Sequence, residues 1–408
     1  MNGSEFDVLI AGGGLVGASL AAALAPLPIR IAVVEAVPFG TRGQPSYDER
    51  VTAVSFGSRR IFEGIGLWPA IAPEATPIHH IQVSDRGRLG ATRFHADEAH
   101  VEALGYVVPN RTIGQALSAF LPAQTNISLI APARLTQFRE HAGGLNATLE
   151  ADATRREINA RLLVAADGAN SRIREQLGIA GVSWGYGQSA VICNVSVERP
   201  QAGVAFERFT DEGPLALLPM GAERYALVWT VEQAQLERTL ALDESAFLAA
   251  AAARFDGRLG AFLKAGRRQA YPLSLVRADA QLRGRCVIAG NAAHSLHPIA
   301  GQGFNLSLRD VAVLAETLAE IVQAGGDVGC DARLAGYVAA RRRDQTGTAL
   351  FTDFLTRVFG NPLLPVRLLR NVGLLSLECL PPLRHALLRH NMGLAGRLPR
   401  LTRGVKLI

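Results

Sequence analysis

The stretch from Phe6 to Glu35 reads FDVLIAGGGLVGASLAAALAPLPIRIAVVE and decides the fold. Its apolar, β-branched start predicts a buried strand, which runs into the spacing G-x-G-x-x-G at Gly12, Gly14 and Gly17. The first glycine permits a tight turn, the second lets the backbone approach a pyrophosphate, and the third lets the following helix pack close to the strand. A second apolar strand ends on Glu35, where an acid can bind a ribose diol. Glycines alone would indicate only a turn, but glycines with this strand, helix and acid predict dinucleotide binding.

Composition limits the classes of protein to which the chain can belong. With 408 residues, 49% of them apolar, the chain can bury a large core, and we expect two lobes. Its four cysteines are far apart and form no C-x-x-C pair, so the sequence indicates neither a zinc site nor a redox-active disulfide. No signal-type segment opens the chain, and no apolar run approaches the ~20 residues of a membrane span. We therefore expect a cytoplasmic protein without a metal centre.

Positive charge is concentrated near the C-terminus. The segment from Leu355 to Ile408 carries nine Arg or Lys residues against one acid, Glu378. Its net charge of +8 therefore exceeds the +6 of the whole chain. These basic residues are interleaved with leucines and prolines, which argues against nucleic-acid binding. In functional terms, we interpret this segment as one that contacts a membrane surface, which would place the protein at the periphery of the inner membrane. The structural alternative is a helical pair that packs on the dinucleotide-binding lobe and leaves its arginines solvated.

Two later strands repeat the strand–loop–helix pattern of the first. One ends at Asp167-Gly168, and the other ends at Gly290-Asn291 before the glycine-rich stretch Gly301–Asn305 and a long amphipathic helix. In an open α/β sheet, ligands bind outside the carboxyl ends of the strands. One extended cofactor that spans all three loops explains them together, whereas a plain nicotinamide enzyme needs only the first.

The order of these loops resembles that of the group A flavoprotein monooxygenases, which share the fold of para-hydroxybenzoate hydroxylase. Three further stretches resemble, more narrowly, the FAD-dependent aromatic hydroxylases of ubiquinone biosynthesis: YDER at 47–50, FERFT at 206–210 with GPLALLP at 213–219, and HPIAGQGFN at 297–305. The resemblance extends from about Asp7 to Asp344. The superfamily usually has aspartate at the position of Asn291. Asparagine at this position resembles the 2-polyprenyl-6-methoxyphenol hydroxylase branch.

The resemblance implies an α/β fold in which a Rossmann-type FAD-binding domain is interleaved with a mixed β-sheet substrate domain and followed by a C-terminal helical tail. Alternating apolar residues predict substrate-domain strands within 78–94 and 190–231. We predict FAD-binding segments at 1–76, 101–189 and 271–345, and substrate-domain segments at 77–100 and 190–270. A basic helical tail at 346–408 would follow a helix that ends at Asp344.

Carried over to this chain, the resemblance assigns the cofactor contacts mainly to loop residues. The residues expected at the FAD pyrophosphate are Gly12, Gly14, Leu15, Val16 and Gly17, with Glu35 at the adenosine ribose. Those expected at the ADP part are Arg50 and Arg111. Asp167 and Gly168 would contact FAD and, transiently, the phosphates of NAD(P)H. Those expected at the ribityl chain and the isoalloxazine are Gly290, Asn291, Gly301, Gln302, Gly303, Phe304 and Asn305.

Few side chains are candidates for direct catalysis. Pro298 aligns with a proline beside the aromatic substrate of related hydroxylases, and His297 lies near the expected flavin. We interpret His294 and His297 as structural residues in preference to acid–base groups. An apolar channel for a polyprenyl tail could be lined by Phe206, Leu217, Leu218 and Val228, which could equally be ordinary core.

The implied reaction uses NAD(P)H and O₂ to hydroxylate a polyprenylated phenol by way of the C4a-hydroperoxyflavin, which requires orientation and exclusion of water. No second G-x-G-x-x-G is present, so NAD(P)H would dock transiently. Three alternatives stay open: hydroxylation of a soluble phenol, reduction of isoprenoid double bonds, and a non-catalytic FAD-bound subunit. A ubiquinone-biosynthesis complex and a membrane surface are the candidate macromolecular partners.

Overall fold

The computed structural model describes residues 5–41, 48, 50–87, 90–151, 154–255, 257–296, 301–329, 331–359, 361 and 363–408. Its strands are β1 (Glu5–Ala11), β2 (Ile31–Val34), β3 (Val51–Ser55), β4 (Thr76–Ile78), β5 (His80–Asp85), β6 (Ala91–His95), β7 (Gly105–Pro109), β8 (Ile127–Ile130), β9 (Arg134–His141), β10 (Gly144–Ala151), β11 (Thr154–Ala165), β12 (Gly181–Val197), β13 (Val204–Thr210), β14 (Gly213–Met220), β15 (Arg224–Glu232), β16 (Phe262–Ala265), β17 (Gln269–Ala278), β18 (Leu282–Arg283), β19 (Cys286–Ile288) and β20 (His294–Ser295). Its α-helices are α1 (Leu15–Leu24), α2 (Phe56–Ile65), α3 (Trp68–Ile71), α4 (Asn110–Phe120), α5 (Arg172–Gln176), α6 (Leu236–Ala241), α7 (Glu244–Ala252), α8 (Gln302–Gln323), α9 (Asp331–Phe359), α10 (Leu364–Cys379) and α11 (Pro381–Asn391).

The first sheet is built around β1, whose apolar residues are buried on both faces, as expected for a central parallel strand. Its strand order is β18-β19-β11-β1-β2-β8, and β19, β11, β1, β2 and β8 are parallel. The antiparallel hairpin β9–β10 pairs with the N-terminal half of β11. Because parallel strands end at the same edge, the loops after β1, β11 and β19 meet there.

Two apolar layers cover this sheet. On one face, α1 and α8 contribute Leu20 and Leu314 to an extensive core. On the other face, Leu9 and Leu163 pack with Leu149 of the hairpin. Burial on both faces explains why β2 and the ends of β1 and β11 are continuously apolar and show no alternation.

The second sheet is assembled from separate parts of the chain. Its order is β20-β17-β12-β15-β14-β13-β5-β6, with β16 also paired to β12, and its pairs are antiparallel except β13–β5. Alternate side chains of β14 point to opposite faces: Leu215 and Leu217 pack in the core that includes Phe247 of α7, while Ala216 and Leu218 line a cavity. A small sheet, β3-β7-β4, contacts α8 and β14 and so joins the two lobes.

The C-terminal helices differ from the prediction in two respects. The helix predicted to end at Asp344 continues as α9 to Phe359, so it crosses the position at which we expected the tail to begin. The structural alternative, a helical pair on the dinucleotide-binding lobe, does not describe α10, which packs on β6 of the second sheet. There the Thr92 hydroxyl donates a 2.7 Å hydrogen bond to the carbonyl of Leu374. Only after α11 does the chain return to the core of the first lobe, with Leu401.

Two strands of the sheets were missed or shortened in the prediction. β9 is largely polar and exposed, so it carries no apolar alternation. β12 begins at Gly181 and not at Ala190, because its first part is exposed and interrupted by an irregularity near Gly185. The predicted domain boundaries stay predictions. Among the described residues, no helix combines the length and apolar character that crossing a bilayer requires.

Candidate active site

The glycine loop after β1 is held by close backbone contacts. Gly12 has a φ of +106°, and its N–H donates a 2.8 Å hydrogen bond to the carbonyl of Val34. A Cβ at Gly12 would overlap the carbonyl of Ala166, and a Cβ at Gly17 would overlap the carbonyl of Gly12. The loop therefore packs against the end of β11 only with glycine at both positions, and α1 starts directly behind it.

Glu35 is fixed at the end of β2 by two backbone N–H groups. Its carboxylate accepts hydrogen bonds from Gly13 at 2.6 Å and from Val37 at 3.0 Å. These bonds turn the half-buried side chain toward the glycine loop and leave lone pairs for further donors. The carboxylate therefore keeps acceptor capacity beside the glycine loop, where a ribose diol could donate to it.

The loops after β11 and β19 lie beside the glycine loop. Asp167 weakly caps α5, since its carboxylate accepts a 3.4 Å hydrogen bond from the N–H of Ile173. Gly168 has a φ of +90° and open space where a Cβ would point. A Cβ at Gly290 would lie 3.1 Å from Val16, so this loop touches the start of α1. Asn291 is exposed and lines the cavity.

Asn305 connects the start of α8 to β3. Its side-chain amide donates to the carbonyls of Ala53 at 2.8 Å and Gly301 at 2.7 Å, and its oxygen accepts from the N–H of Ser55 at 2.9 Å. The side chain is thus used within the protein, which leaves only backbone groups of this residue for a cofactor. Gln302 and Phe304 line the cavity next to it, and Gly303 has open space around its Cα.

The two predicted arginines lie in different surroundings. Arg50 lines the cavity, pairs with Asp48 at 2.5 Å and stacks over the ring of Tyr271 at 4.6 Å. Arg111 opens α4, and its guanidinium pairs with Glu74 at 2.6 Å. His297 and Pro298, predicted near the flavin and substrate, fall outside the described residues.

His294 is buried in an ion-pair cluster behind these loops. Its Nε2 lies 2.5 Å from the Asp310 carboxylate, which also pairs with Arg341 at 2.6 Å. Arg341 in turn pairs with Asp344, which also binds Arg309 at 2.7 Å. Burial would raise the pKa of Asp310, but Arg341 and His294 outweigh it and hold this pKa below its ordinary value. The arrangement supports the interpretation of His294 as a structural residue that ties β20 to α8 and α9.

A cavity of about 1090 Å³ joins the loops of the first sheet to the second sheet. The first lobe contributes Gly14, Leu15, Val16, Gly168, Asn291 and residues 301–305 to its lining. The second sheet contributes alternate residues of its inner strands, so Leu218 and Val228 line the cavity while Leu217 lies in the core on the opposite face. Phe206 lines the cavity and also packs in that core. Of these four residues, some therefore line the cavity and some lie in the core, while a channel for a polyprenyl tail stays a prediction.

The third wall of the cavity was not predicted from the sequence. It comes from α9, α10 and α11 and includes Phe351, Phe354, Leu369, Leu374, Leu387 and Met392. Glu207 of β13 was not predicted either, and it is the one acidic side chain among the described residues that line the cavity. Strict alternation in β13 was a usable signal for Glu207, because Ala205, Glu207 and Phe209 must share one face.

The residues at this edge fit an FAD molecule. The N-terminus of α1 has no side-chain cap among the described residues, so its first backbone N–H groups can bind a pyrophosphate, and Glu35 lies beside the glycine loop for a ribose. Open space at Gly168 and Gly303 allows close approach of a cofactor to the backbone, and the loop with Asn291 borders the same cavity. A metal centre has no equivalent support, since the described residues contain no cluster of three or more His, Cys, Asp or Glu side chains placed to hold an ion.

Comparison with known proteins decides the family. A family model described as an FAD binding domain matches residues 5–350. The chain belongs to this family. It is 40% identical over 405 residues to the ubiquinone hydroxylase UbiL of Rhodospirillum rubrum, with 98% of this chain and 93% of the relative covered. It is 31% identical over 400 residues to the 3-demethoxyubiquinol 3-hydroxylase of Escherichia coli, with 97% of this chain and the whole relative covered.

Solved structures agree in fold. The p-nitrophenol 4-monooxygenase PnpA of Pseudomonas putida superposes with a TM-score of 0.77 at 17% identity, covering 97% of this chain and 99% of that chain. The expected fold class is confirmed, as is the resemblance to the FAD monooxygenases of ubiquinone biosynthesis. The protein is an FAD-dependent monooxygenase, and NAD(P)H is the electron donor typical of its family.

Proposed function

We propose that this monooxygenase hydroxylates the aromatic ring of a polyprenylated phenol in ubiquinone biosynthesis. The relatives named as ubiquinone-pathway hydroxylases support the pathway and the phenolic ring. The shape and chemistry of the cavity support the polyprenyl tail. Bound FAD would supply the redox chemistry, taking a hydride from NAD(P)H and delivering one oxygen atom of O₂ to the ring.

The observation that carries this proposal is the path of the cavity. It begins at the loops assigned to FAD, passes the second sheet and ends among side chains that are both cavity-lining and exposed. These are Phe354 on α9, Leu369 and Val372 on α10, and Leu383 on α11, each at least 50% exposed. An apolar passage of this kind suits a ring at the inner end and an isoprenoid chain that leads outward.

The protein's own contribution is binding, orientation and exclusion of water. We propose that Glu35 binds the adenosine ribose, that residues 12–17 meet the pyrophosphate and that Asn291 meets the ribityl chain. The backbone of 301–305 would approach the isoalloxazine, with the Asn305 amide holding this segment against β3. Apolar walls around the reacting ring keep bulk water from the oxygen-transfer step.

The exposed apolar face of the C-terminal helices extends the proposal to a membrane surface. We define this face by Leu363, Leu368, Leu369, Val372, Leu375, Leu380 and Leu383, all of which are exposed. A patch of large aliphatic side chains on a protein surface normally marks an interaction site. Because the cavity opens at this face, a lipid-dissolved substrate could pass directly from bilayer to active site.

The test is chemical identification of what accumulates without the protein. Deleting the gene in its host and analysing quinone intermediates by mass spectrometry should show a polyprenylated phenol that lacks one ring hydroxyl. Purified, FAD-loaded protein should then oxidise NAD(P)H with O₂ uptake when a prenylated phenol is added. Accumulation of unreduced isoprenoids, or turnover that needs no O₂, would favour the isoprenoid reductase.

A further inference from the structure

Glu207 occupies an unusual place in the cavity wall. In β13 it shares the cavity face with Ala205 and Phe209, whereas Arg208 points to the other face and contacts Ser84 at 3.1 Å. The two strands paired with β13 place apolar residues beside it, Ala216 of β14 and Val83 of β5. Glu207 therefore presents a carboxylate to a cavity whose nearest walls are hydrocarbon.

Among the described residues, the Glu207 carboxylate has no partner of its own. No hydrogen bond or ion pair connects it to the other described side chains or to their backbone. The other charged side chains lining the cavity come from different elements and are already paired: Arg50 with Asp48, and Arg370 of α10 with Asp85. A carboxylate in an apolar wall without compensation costs stability, and a ligand group that donates a hydrogen bond to it would offset that cost.

The protonation behaviour of Glu207 agrees with this position. The side chain is half-buried at the cavity wall, and burial raises its pKa to about 7. Between about pH 6 and pH 8 the group therefore changes from neutral acid to carboxylate. Only the carboxylate offers a charged acceptor.

We propose that Glu207 is the substrate-binding residue that accepts a hydrogen bond from the ring hydroxyl of the phenol. The assignment rests on the proposed function and deepens it, because it names the group that orients the ring. A phenol with a hydrocarbon tail has its hydroxyl as a strong hydrogen-bond donor, and Glu207 is the acidic acceptor that faces the cavity among the described residues. A charged acceptor also enriches the phenol oxygen in electron density, which favours electrophilic attack on the ring.

The experiment compares a phenol with its methyl ether, which cannot donate. FAD-loaded wild type, Glu207→Gln, Glu207→Leu and the control Glu232→Gln are titrated with 2-geranylphenol and with its methyl ether, and binding is followed by flavin absorbance. Glu232 lies at the exposed end of β15 and does not line the cavity. Wild type and the control should prefer the phenol by about 10- to 100-fold above pH 8.

The variants should separate the two parts of the claim. Glu207→Leu should bind phenol and ether equally, and its melting temperature at pH 8 should not be lower than that of wild type, since an unpartnered buried charge has been removed. The wild-type preference should weaken as the pH falls through about 7, whereas Glu207→Gln should show a small preference that does not vary with pH.

Two results would overturn the assignment of Glu207, and a third would overturn the proposed function itself. Glu207→Leu could keep the wild-type preference for phenol over ether, or Glu207→Gln could keep the pH dependence of wild type. In either case Glu207 does not accept the ring hydroxyl, although the protein still binds phenols. If wild-type protein binds neither compound while holding FAD, the proposed function itself fails. The two failures are distinguished by the wild-type titration alone.

Discussion

At the scale of single residues, the glycine loop shows how a sequence motif becomes a steric requirement. Gly17 has no room for a methyl group, because a Cβ would overlap the carbonyl of Gly12 at the turn. We expect Gly17→Ala to push α1 away from β1, to abolish FAD binding and to lower the melting temperature by several degrees. FAD content after purification and thermal melts measure both effects. The matched control is Gly143→Ala, which has open space around it and should behave as wild type.

Asn291 allows a test of charge against hydrogen bonding at the cofactor. The side chain is exposed to the cavity beside the start of α1, and we propose that it binds the ribityl chain. Asn291→Ala removes donor and acceptor and should weaken FAD binding about tenfold, whereas Asn291→Asp keeps the acceptor and should be tolerated. FAD titrations of the apoproteins provide the measurement. Weaker binding by the aspartate variant than by the alanine variant would contradict the ribityl assignment.

Residue patterns predicted the loops better than the walls. The spacing of Gly12, Gly14 and Gly17 and the position of Glu35 are local, so the sequence alone placed them beside each other. The role of Asn305 was not readable, because its amide bonds to β3, about 250 positions away in the chain. The alternation of β13 could have placed Glu207 on the cavity face, but its isolation there depends on β5 and β14.

At the scale of elements, α9 shows why hydrophobic periodicity fails for a helix held by charge. Its stretch around Arg341 and Asp344 is polar and was predicted to end the helix, yet both residues pair with α8 through Asp310 and Arg309. By contrast, α8 has an apolar face that packs on the first sheet and was predicted nearly in full. Buried ion pairs are tertiary features, and a single sequence gives no periodic signal for them.

This cluster makes a prediction about stability. Arg341→Met leaves the buried Asp310 carboxylate without its main cation, and we expect the free energy of unfolding to fall by about 3 kcal/mol. The neighbouring, exposed Arg342→Met is the control and should change it by less than about 0.5 kcal/mol. Urea denaturation of the two FAD-loaded variants compares them. Equal stability of both variants would mean that the cluster does not hold α9 to α8.

The same cluster sets a direction for the pH dependence of folding. Burial would raise the pKa values of Asp310 and Asp344, but their arginine partners hold both below the ordinary range. A depressed carboxyl pKa stabilises the folded state above the unfolded pKa of about 4, and this contribution is lost as the pH falls further. Wild-type protein should therefore lose stability below about pH 4, and Arg341→Met should lose less over the same range. A parallel decline in both would contradict this origin.

At the scale of the whole molecule, the interleaved fold was predictable, but the joint cavity was not. Strand patterns indicated two sheets built from alternating segments, and the resemblance supplied their order. The position of the C-terminal helices depends on long-range contacts such as the ion pair of Arg370 with Asp85. Both side chains of this pair are 1% exposed. Arg384 is likewise paired, with Glu98 at 3.0 Å, so part of the basic charge near the C-terminus fixes the helices to the second sheet.

What remains exposed on these helices is mainly aliphatic, and this changes the expected mode of membrane binding. Leu368, Leu375 and Leu380 are exposed and do not line the cavity, so replacing them with Gln leaves the active site untouched. Inserted leucines contribute roughly 25 cal/mol per Å² buried, and exposed basic residues such as Arg389 add about 1 kcal/mol each near anionic lipid. We expect wild-type protein to float with anionic vesicles at low salt and to do so partly at high salt.

The triple glutamine variant should lose most of this binding at both salt concentrations while keeping its FAD. A control with Val182→Gln and Leu263→Gln, which removes exposed apolar residues of the second sheet instead, should float as wild type does. The double variant Arg389→Gln with Arg397→Gln should weaken flotation at low salt only, because at high salt these charges are already screened in the wild-type protein. If the wild-type protein does not bind vesicles at any salt concentration, the proposed membrane contact is wrong. If the triple variant floats normally, these leucines are not the residues that bind the vesicle.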